Sequence, residues 1–174
     1  NIYAAGDCVS AYWLMNRERC GVKLANVAYE QGRIAGISAA GGDARYDGTA
    51  GTFVSKIGEL EVASTGFNTE TAKKYGYEFV TVKSQARSVP EWMPNTSINV
   101  MKIIIDKKTS CILGAQSIGE KSGWRVNFIE LCIRNRIPID EIYKTEFAYS
   151  PPVSDIYEVT KNCLEIGVKR ICRL

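Results

Sequence analysis

Histidine is absent from this chain of 174 residues. That removes Ser-His and Cys-His catalysis and every histidine-metal site, so proton transfer falls to carboxylates, Tyr, Lys, Cys or water. A GxGxxG phosphate loop is also missing, and with it the usual way of holding a dinucleotide. No apolar run approaches the roughly 18 residues that a membrane-spanning helix needs. The first residues do not follow the charged, apolar, small-residue order of a secretory leader. Cys8, Cys20, Cys111, Cys132, Cys163 and Cys172 show neither CxxC spacing nor a metal-ligand rhythm. The expectation is a set of reduced thiols in a cytoplasmic protein, with no metal. Lys and Arg exceed Asp and Glu by only 22 to 19, which argues against a nucleic-acid partner. The densest cations, Lys169, Arg170 and Arg173, suit a solvated tail as well as a polyanion contact.

What is present is an ordinary globular composition, 45% apolar and 24% charged, enough for one sizeable core plus a smaller piece. Residues 1–9 read as a buried strand, and residues 10–22 as irregular. The spacing of Leu24, Val27, Ala28, Gln31, Ile34 and Ala35 predicts a helix over about 23–39, stopped by Gly41-Gly42. Gly41–Thr52 is rich in glycine and has no aliphatic side chain longer than Ala, which marks a domain boundary. Beyond it the sequence predicts strands at 52–57 and 59–65, with Gly58 between them. A short helix at 69–75 follows, with Asn68 as N-cap and Gly76 at its end. A strand is predicted at 77–83, a loop at 84–97, and a hairpin of 98–106 with 110–118. Helices are predicted at 121–136, just after Pro138, and at 153–166 following Ser150-Pro151-Pro152. Hairpins require antiparallel pairing and the order does not alternate regularly, so the fold class is α+β: an antiparallel sheet with helices on one face.

Several local phrases carry a resemblance. Ile2-Tyr3-Ala4-Ala5-Gly6-Asp7 resembles the second flavin-binding fingerprint of pyridine nucleotide-disulfide oxidoreductases. Gln31-Gly32-Arg33-Ile34-Ala35-Gly36 resembles the family helix whose N-terminus points at the flavin. Ala63-Ser64-Thr65-Gly66-Phe67, Ile112-Leu113-Gly114-Ala115-Gln116 and Phe147-Ala148-Tyr149-Ser150-Pro151-Pro152 resemble phrases of the family's dimerisation domain, in the NADH oxidase and coenzyme A-disulfide reductase branch. The resemblance implies residues 1–45 as a C-terminal remnant of an FAD-binding domain and residues 46–174 as the dimerisation domain. It also implies a homodimer whose FAD and NAD domains belong to the same, longer polypeptide, with NAD(P)H as co-substrate. The 174 residues alone are then expected to be inactive and colourless. The alternative is an isolated, non-catalytic homodimerisation module.

The same resemblance assigns cofactor binding to Gly6, Asp7, Lys23, Leu24 and Ala25. Asp7 would accept a hydrogen bond from the ribityl chain, and the helix start would face the flavin's electron-rich edge. From residue type alone, Asp7 equally suits a turn and Lys23 a solvated surface. Tyr149 matches the tyrosine that reaches across the dimer to the partner's thiol, and is the candidate catalytic residue. Its plainer reading is an interface Tyr before a Pro-Pro turn. A second family tyrosine, in a YYP phrase, is replaced by Trp92-Met93-Pro94. Trp has no phenolic hydroxyl, which argues against a two-tyrosine clamp on coenzyme A and for an apolar or interface contact. Trp92, Trp124 and Phe128 are expected at the interface or in the core, and Arg125 at a substrate phosphate or simply at the surface.

Overall fold

The computed structural model describes residues 2–171. Asn1, Cys172, Arg173 and Leu174 lie outside them, and with them the first residue of the strand expected at 1–9, the sixth cysteine and the third cation of the C-terminal cluster. The chain divides into two compact units between Gly51 and Thr52.

In the first unit a two-residue hairpin, β1 (Ala11–Tyr12) and β2 (Arg19–Cys20), stands beside the returning chain at 48–50. The Thr49 N–H donates to the Tyr12 carbonyl at 2.8 Å, and the Leu14 N–H to the Thr49 carbonyl at 3.0 Å. Helix α1 (Ala25–Ala39) buries Val27 and Gln31, one turn apart on the same side. It closes in a Schellman pattern: the Gly42 N–H reaches the Ile37 carbonyl and the Gly41 N–H reaches Ser38. Two sequence expectations are corrected here. The polar stretch 10–22 contains the small hairpin. Residues 2–9 form no strand, and Ile2 is 99% exposed. A strand persists only where its N–H and C=O groups enter a ladder, and no described strand lies beside this one.

The second unit runs β3 (Phe53–Ile57), β4 (Leu60–Gly66), α2 (Thr69–Lys74), β5 (Phe79–Arg87), β6 (Ile98–Asp106), β7 (Ile112–Ile118), α3 (Ser122–Arg134), α4 (Ile139–Tyr143) and α5 (Val159–Ile171). The five strands form one antiparallel sheet in the order β3-β4-β7-β6-β5. The register pairs Ala63 with Ser117, Ser117 with Met101, Thr65 with Ala115, Ala115 with Ile103, and Ile103 with Val82. All of these are buried and share one face, because side chains alternate along a strand. Helix α3 packs over β4 and β7, and α5 over β5 and β6. The Ser117 and Ser122 hydroxyls bond at 2.9 Å between sheet and α3, and the Cys163 thiol meets the Met101 carbonyl at 3.5 Å under α5. Burying Met101, Ile103 or Leu164 stabilises the unit by about 1.5–3 kcal/mol each. The α+β class read from the sequence holds.

Caps follow the sequence as well. The Asn68 side chain accepts the Thr71 N–H at 2.8 Å to start α2, a contribution of about 1 kcal/mol. Two boundaries differ from expectation. Strand β5 runs on to Arg87, into the stretch read as loop, because Arg87 still pairs with Ile98. Helix α5 begins at Val159 rather than 153. The Glu158 carboxylate accepts the Thr160 N–H at 2.6 Å and so fixes the first turn there.

Candidate functional site

Within the first unit the residues singled out by sequence come together around one turn. Gly6 has φ +92°, a conformation that a Cβ disfavours. Its N–H donates to the Gln31 side-chain carbonyl at 2.9 Å, and its own carbonyl accepts the Val9 N–H at 3.1 Å. Asp7 follows in this turn with its side chain exposed. The Lys23 ammonium donates to the Asp7 backbone carbonyl at 2.6 Å, which ties the approach to α1 against the turn. Leu24 is the N-cap residue, extended in backbone and offering no side-chain acceptor, and the first turn of α1 carries no acid. Leu24 therefore gives the start of α1 no side-chain cap of its own, and the helix end carries partial positive charge. The combination is an exposed carboxylate, a glycine turn and an uncapped helix start. It suits a ligand with both hydroxyl donors and an electron-rich edge.

Gln31 was not recognised as a site residue from the sequence. It sits on the apolar stripe beside Val27, and a polar side chain in a buried stripe is the signal that was available. Cys8 is exposed, and its thiol lies 3.4 Å from the Ala5 carbonyl. No group of three or more metal-ligating side chains occurs among the described residues.

In the second unit Tyr149 lies in the segment between α4 and α5 and is 49% exposed. The segment folds into a closed turn. The Val153 and Ser154 N–H groups both reach the Ser150 carbonyl, at 2.8 and 2.9 Å, and the Ser154 hydroxyl donates to the Ala148 carbonyl at 3.0 Å. Trp92 and Trp124 are both exposed, at 72% and 77%. Trp124 shares a shallow groove with Val54 of β3, while Leu131 lies two turns further along α3 and is also exposed. Phe128 is half-buried and packs edge-on to Phe147 with centroids 5.5 Å apart. Arg125 is neither at the surface nor free for a phosphate. Its side chain is 11% exposed and is paired with Glu158 and the Glu120 carbonyl.

Comparison with known proteins identifies the family of the second unit. Residues 52–160 match the family described as pyridine nucleotide-disulphide oxidoreductase, dimerisation domain. The chain is 28% identical over 158 residues to an NAD(P)H sulfur oxidoreductase (CoA-dependent) of Pyrococcus furiosus, covering 91% of this chain and 36% of that protein. It is 28% identical over 172 residues to an NADH oxidase of Methanocaldococcus jannaschii, covering 98% of this chain and 38% of that one. Among solved structures, an NAD-dependent persulfide reductase from A. fulgidus superposes with TM-score 0.92 at 27% identity, over 97% of this chain and 32% of the other. The reduced CoADR-RHD of Bacillus anthracis gives TM-score 0.91 at 29% identity, over 99% and 31%. This chain spans a little over a third of the curated relatives' length. With an antiparallel five-stranded sheet under paired helices and a family match across most of it, the chain belongs to the pyridine nucleotide-disulphide oxidoreductases and carries their dimerisation domain.

Proposed function

We propose that this chain is the C-terminal part of an FAD-dependent NAD(P)H oxidoreductase of the NADH oxidase type, supplying the homodimer interface and one edge of the flavin site. The join between the FAD-domain remnant and the dimerisation domain falls in the glycine-rich stretch 41–52. The observation that carries the reading is the turn at Gly6-Asp7, fastened through Gln31 to an uncapped helix. Its donor set fits FAD: the Asp7 carboxylate accepts from a polyol hydroxyl, Gly6 keeps the backbone low, and the start of α1 at Leu24 and Ala25 favours an anionic ring edge. Lys23 holds the backbone of Asp7 in place rather than presenting its charge to a ligand.

FAD, when bound, supplies the hydride chemistry between NAD(P)H and a final acceptor. The contributions of this chain are binding, pairing of subunits, and the Tyr149 phenol. The relatives named for sulfur and coenzyme A-dependent activities make a coenzyme A disulfide or polysulfide the alternative acceptor to oxygen. Trp92 in place of a second tyrosine favours the oxidase label. The interface is placed on the outer side of α3 and on β3. There Trp124, Leu131, Val54 and Ile57 are each more than half exposed, which suits a surface covered by a second subunit. Five free cysteines among the described residues support a cytoplasmic setting.

A second reading is a homodimerisation module with no catalytic part. It draws on the second unit's own complete core. Absorbance of two purified proteins separates the readings. The 174-residue chain is expected to be colourless and dimeric, and the longer polypeptide encoded by the parent gene to be yellow. A parent polypeptide that purifies without flavin, or whose upstream sequence lacks both a GxGxxG loop and a redox cysteine, overturns the enzymatic reading.

A further inference from the structure

Beyond the Phe147 ring, which packs on Phe128, the segment that carries Tyr149 has little apolar contact to hold it. Tyr149, Val153, Ile156 and Tyr157 are 49%, 59%, 61% and 71% exposed. Exposed loops of this kind are ordinarily the first part of a domain to open. Yet three cations from the body of the second unit fasten this one at its root, its middle and its end.

At the root, the Lys161 ammonium of α5 donates to the Thr145 carbonyl at 2.9 Å and to the Tyr143 carbonyl at the end of α4. It also lies over the Tyr143 ring, 4.5 Å from the centroid, and 5.6 Å from that of Phe147. In the middle, the Lys121 ammonium donates to the Val153 carbonyl at 2.9 Å. At the end, Arg125 pairs with Glu158, with the two side chains 11% and 18% exposed. The second carboxylate oxygen of Glu158 caps α5 through the Thr160 N–H. Between these pins the Ser154 hydroxyl closes the turn onto Ala148. Charge-assisted bonds of this kind are about twice as strong as neutral ones. Lys121 and Lys161 hold backbone carbonyls of the segment and Arg125 holds the Glu158 carboxylate at its end, while Tyr149 stays half-exposed.

We propose that Lys121, Arg125 and Lys161 are positioning residues that set the attitude of Tyr149, so that its phenol is presented in a fixed direction to whatever it meets across the dimer. The proposal rests on the reading of Tyr149 as a trans-acting residue. A merely structural role for the three cations would lower global stability and leave the Tyr149 segment no looser than the rest of the domain.

The test combines amide hydrogen exchange with steady-state kinetics on the full-length polypeptide. Lys121→Met removes one pin at a half-exposed side chain, which is more exposed than that of Arg125, and is chosen to disturb folding least. Exchange across 146–157 is expected to rise on the order of tenfold, with sheet amides and the urea midpoint unchanged. Turnover is expected to fall with KM for NAD(P)H unchanged, and Lys121→Arg is expected to restore both exchange and turnover. The Arg125→Met and Glu158→Met pair, singly and together, gives a double-mutant cycle in which the double variant is no worse than either single one. Tyr149→Phe should lower turnover without changing exchange. Unchanged exchange at 146–157 in Lys121→Met and Lys161→Met would overturn the clamp. Raised exchange with full turnover, while Tyr149→Phe is impaired, overturns the positioning role. A silent Tyr149→Phe beside raised exchange removes the function of Tyr149 itself and leaves the clamp as a structural fact.

Discussion

The N–H of Gly6 and the side-chain carbonyl of Gln31 meet at 2.9 Å, fastening the turn that bears Asp7 to the buried stripe of α1. Gln31→Met keeps the volume and removes the acceptor. Leaving the Gly6 amide without a partner is expected to cost about 1–3 kcal/mol locally. In the full-length polypeptide the expected outcome is weaker FAD retention, read as flavin released during gel filtration. Gly6→Ala should do the same for a different reason, since Ala resists φ +92°. Flavin content equal to wild type in both variants would count against this turn as a cofactor edge.

Trp124 and Leu131 lie two turns apart on α3, exposed on the side opposite buried Val126, Ile129 and Ile133. If a second subunit covers them, Trp124→Asp should weaken self-association by about 2 kcal/mol or more, as loss of an interface aromatic commonly does. Sedimentation velocity of the 174-residue chain is the measurement. The expected result is a monomer at concentrations where wild type is a dimer, with an unchanged circular dichroism spectrum. A dimer of undiminished affinity places the interface elsewhere.

Gly114 sits where β4 leaves the sheet over β7. A Cβ built there falls 2.1 Å from the Phe67 carbonyl oxygen and 2.5 Å from its nitrogen. Both contacts are backbone, so neither can step aside. Gly114→Ala is expected to destabilise the unit by about 3 kcal/mol or more. Gly32, inside α1, meets nothing within 4 Å. Gly32→Ala is therefore expected to stabilise its helix by about 0.5–1 kcal/mol. Urea unfolding of the two variants should move in opposite directions.

Burial pushes the Cys132 thiol from its ordinary 9.0 to about 11 and the Cys163 thiol to about 12. Both groups are neutral when protonated, and the folded state holds those protons more tightly than the unfolded chain. Their contribution to stability is therefore whole below about pH 9 and is lost as pH climbs from there through 11 to 12. A thiol reagent at pH 8 is expected to modify exposed Cys8 quickly and these two only on unfolding. Rapid labelling of Cys163 in the native protein would contradict the packing described under α5.

Much of this architecture was legible from one sequence, for identifiable reasons. The strands around Gly58 and the β6–β7 hairpin alternate cleanly or run apolar between turn residues. Asn68 and Gly76 mark both ends of α2 by chemistry that needs no tertiary context. The misplaced start of α5 has a physical cause. The expected start was set by the Ser150-Pro151-Pro152 break, but Val153, Ile156 and Tyr157 beyond it are exposed and offer no buried face to pack, and Glu158 sets the true first turn. The strand expected at 1–9 is not formed over the described residues 2–9, because pattern alone supplies no ladder partner. In the candidate site Gly6 and Asp7 were readable as a phrase. Gln31 and the three cations around the Tyr149 segment were not, because their partners are fixed by folding rather than by neighbouring sequence.

The order β3-β4-β7-β6-β5 also dictates when the sheet can close. β4 pairs at once with β3 yet finds its second partner only once β7, at Ile112–Ile118, has emerged. Until then the β3–β4 ribbon of Phe53–Gly66, which can zip locally, must wait with one edge unpaired and its apolar side chains in water. Translation therefore hands the cell a half-finished surface for a measurable interval. A truncation ending before β7 is expected to be seized by chaperones or to aggregate rather than to persist as a smaller soluble domain.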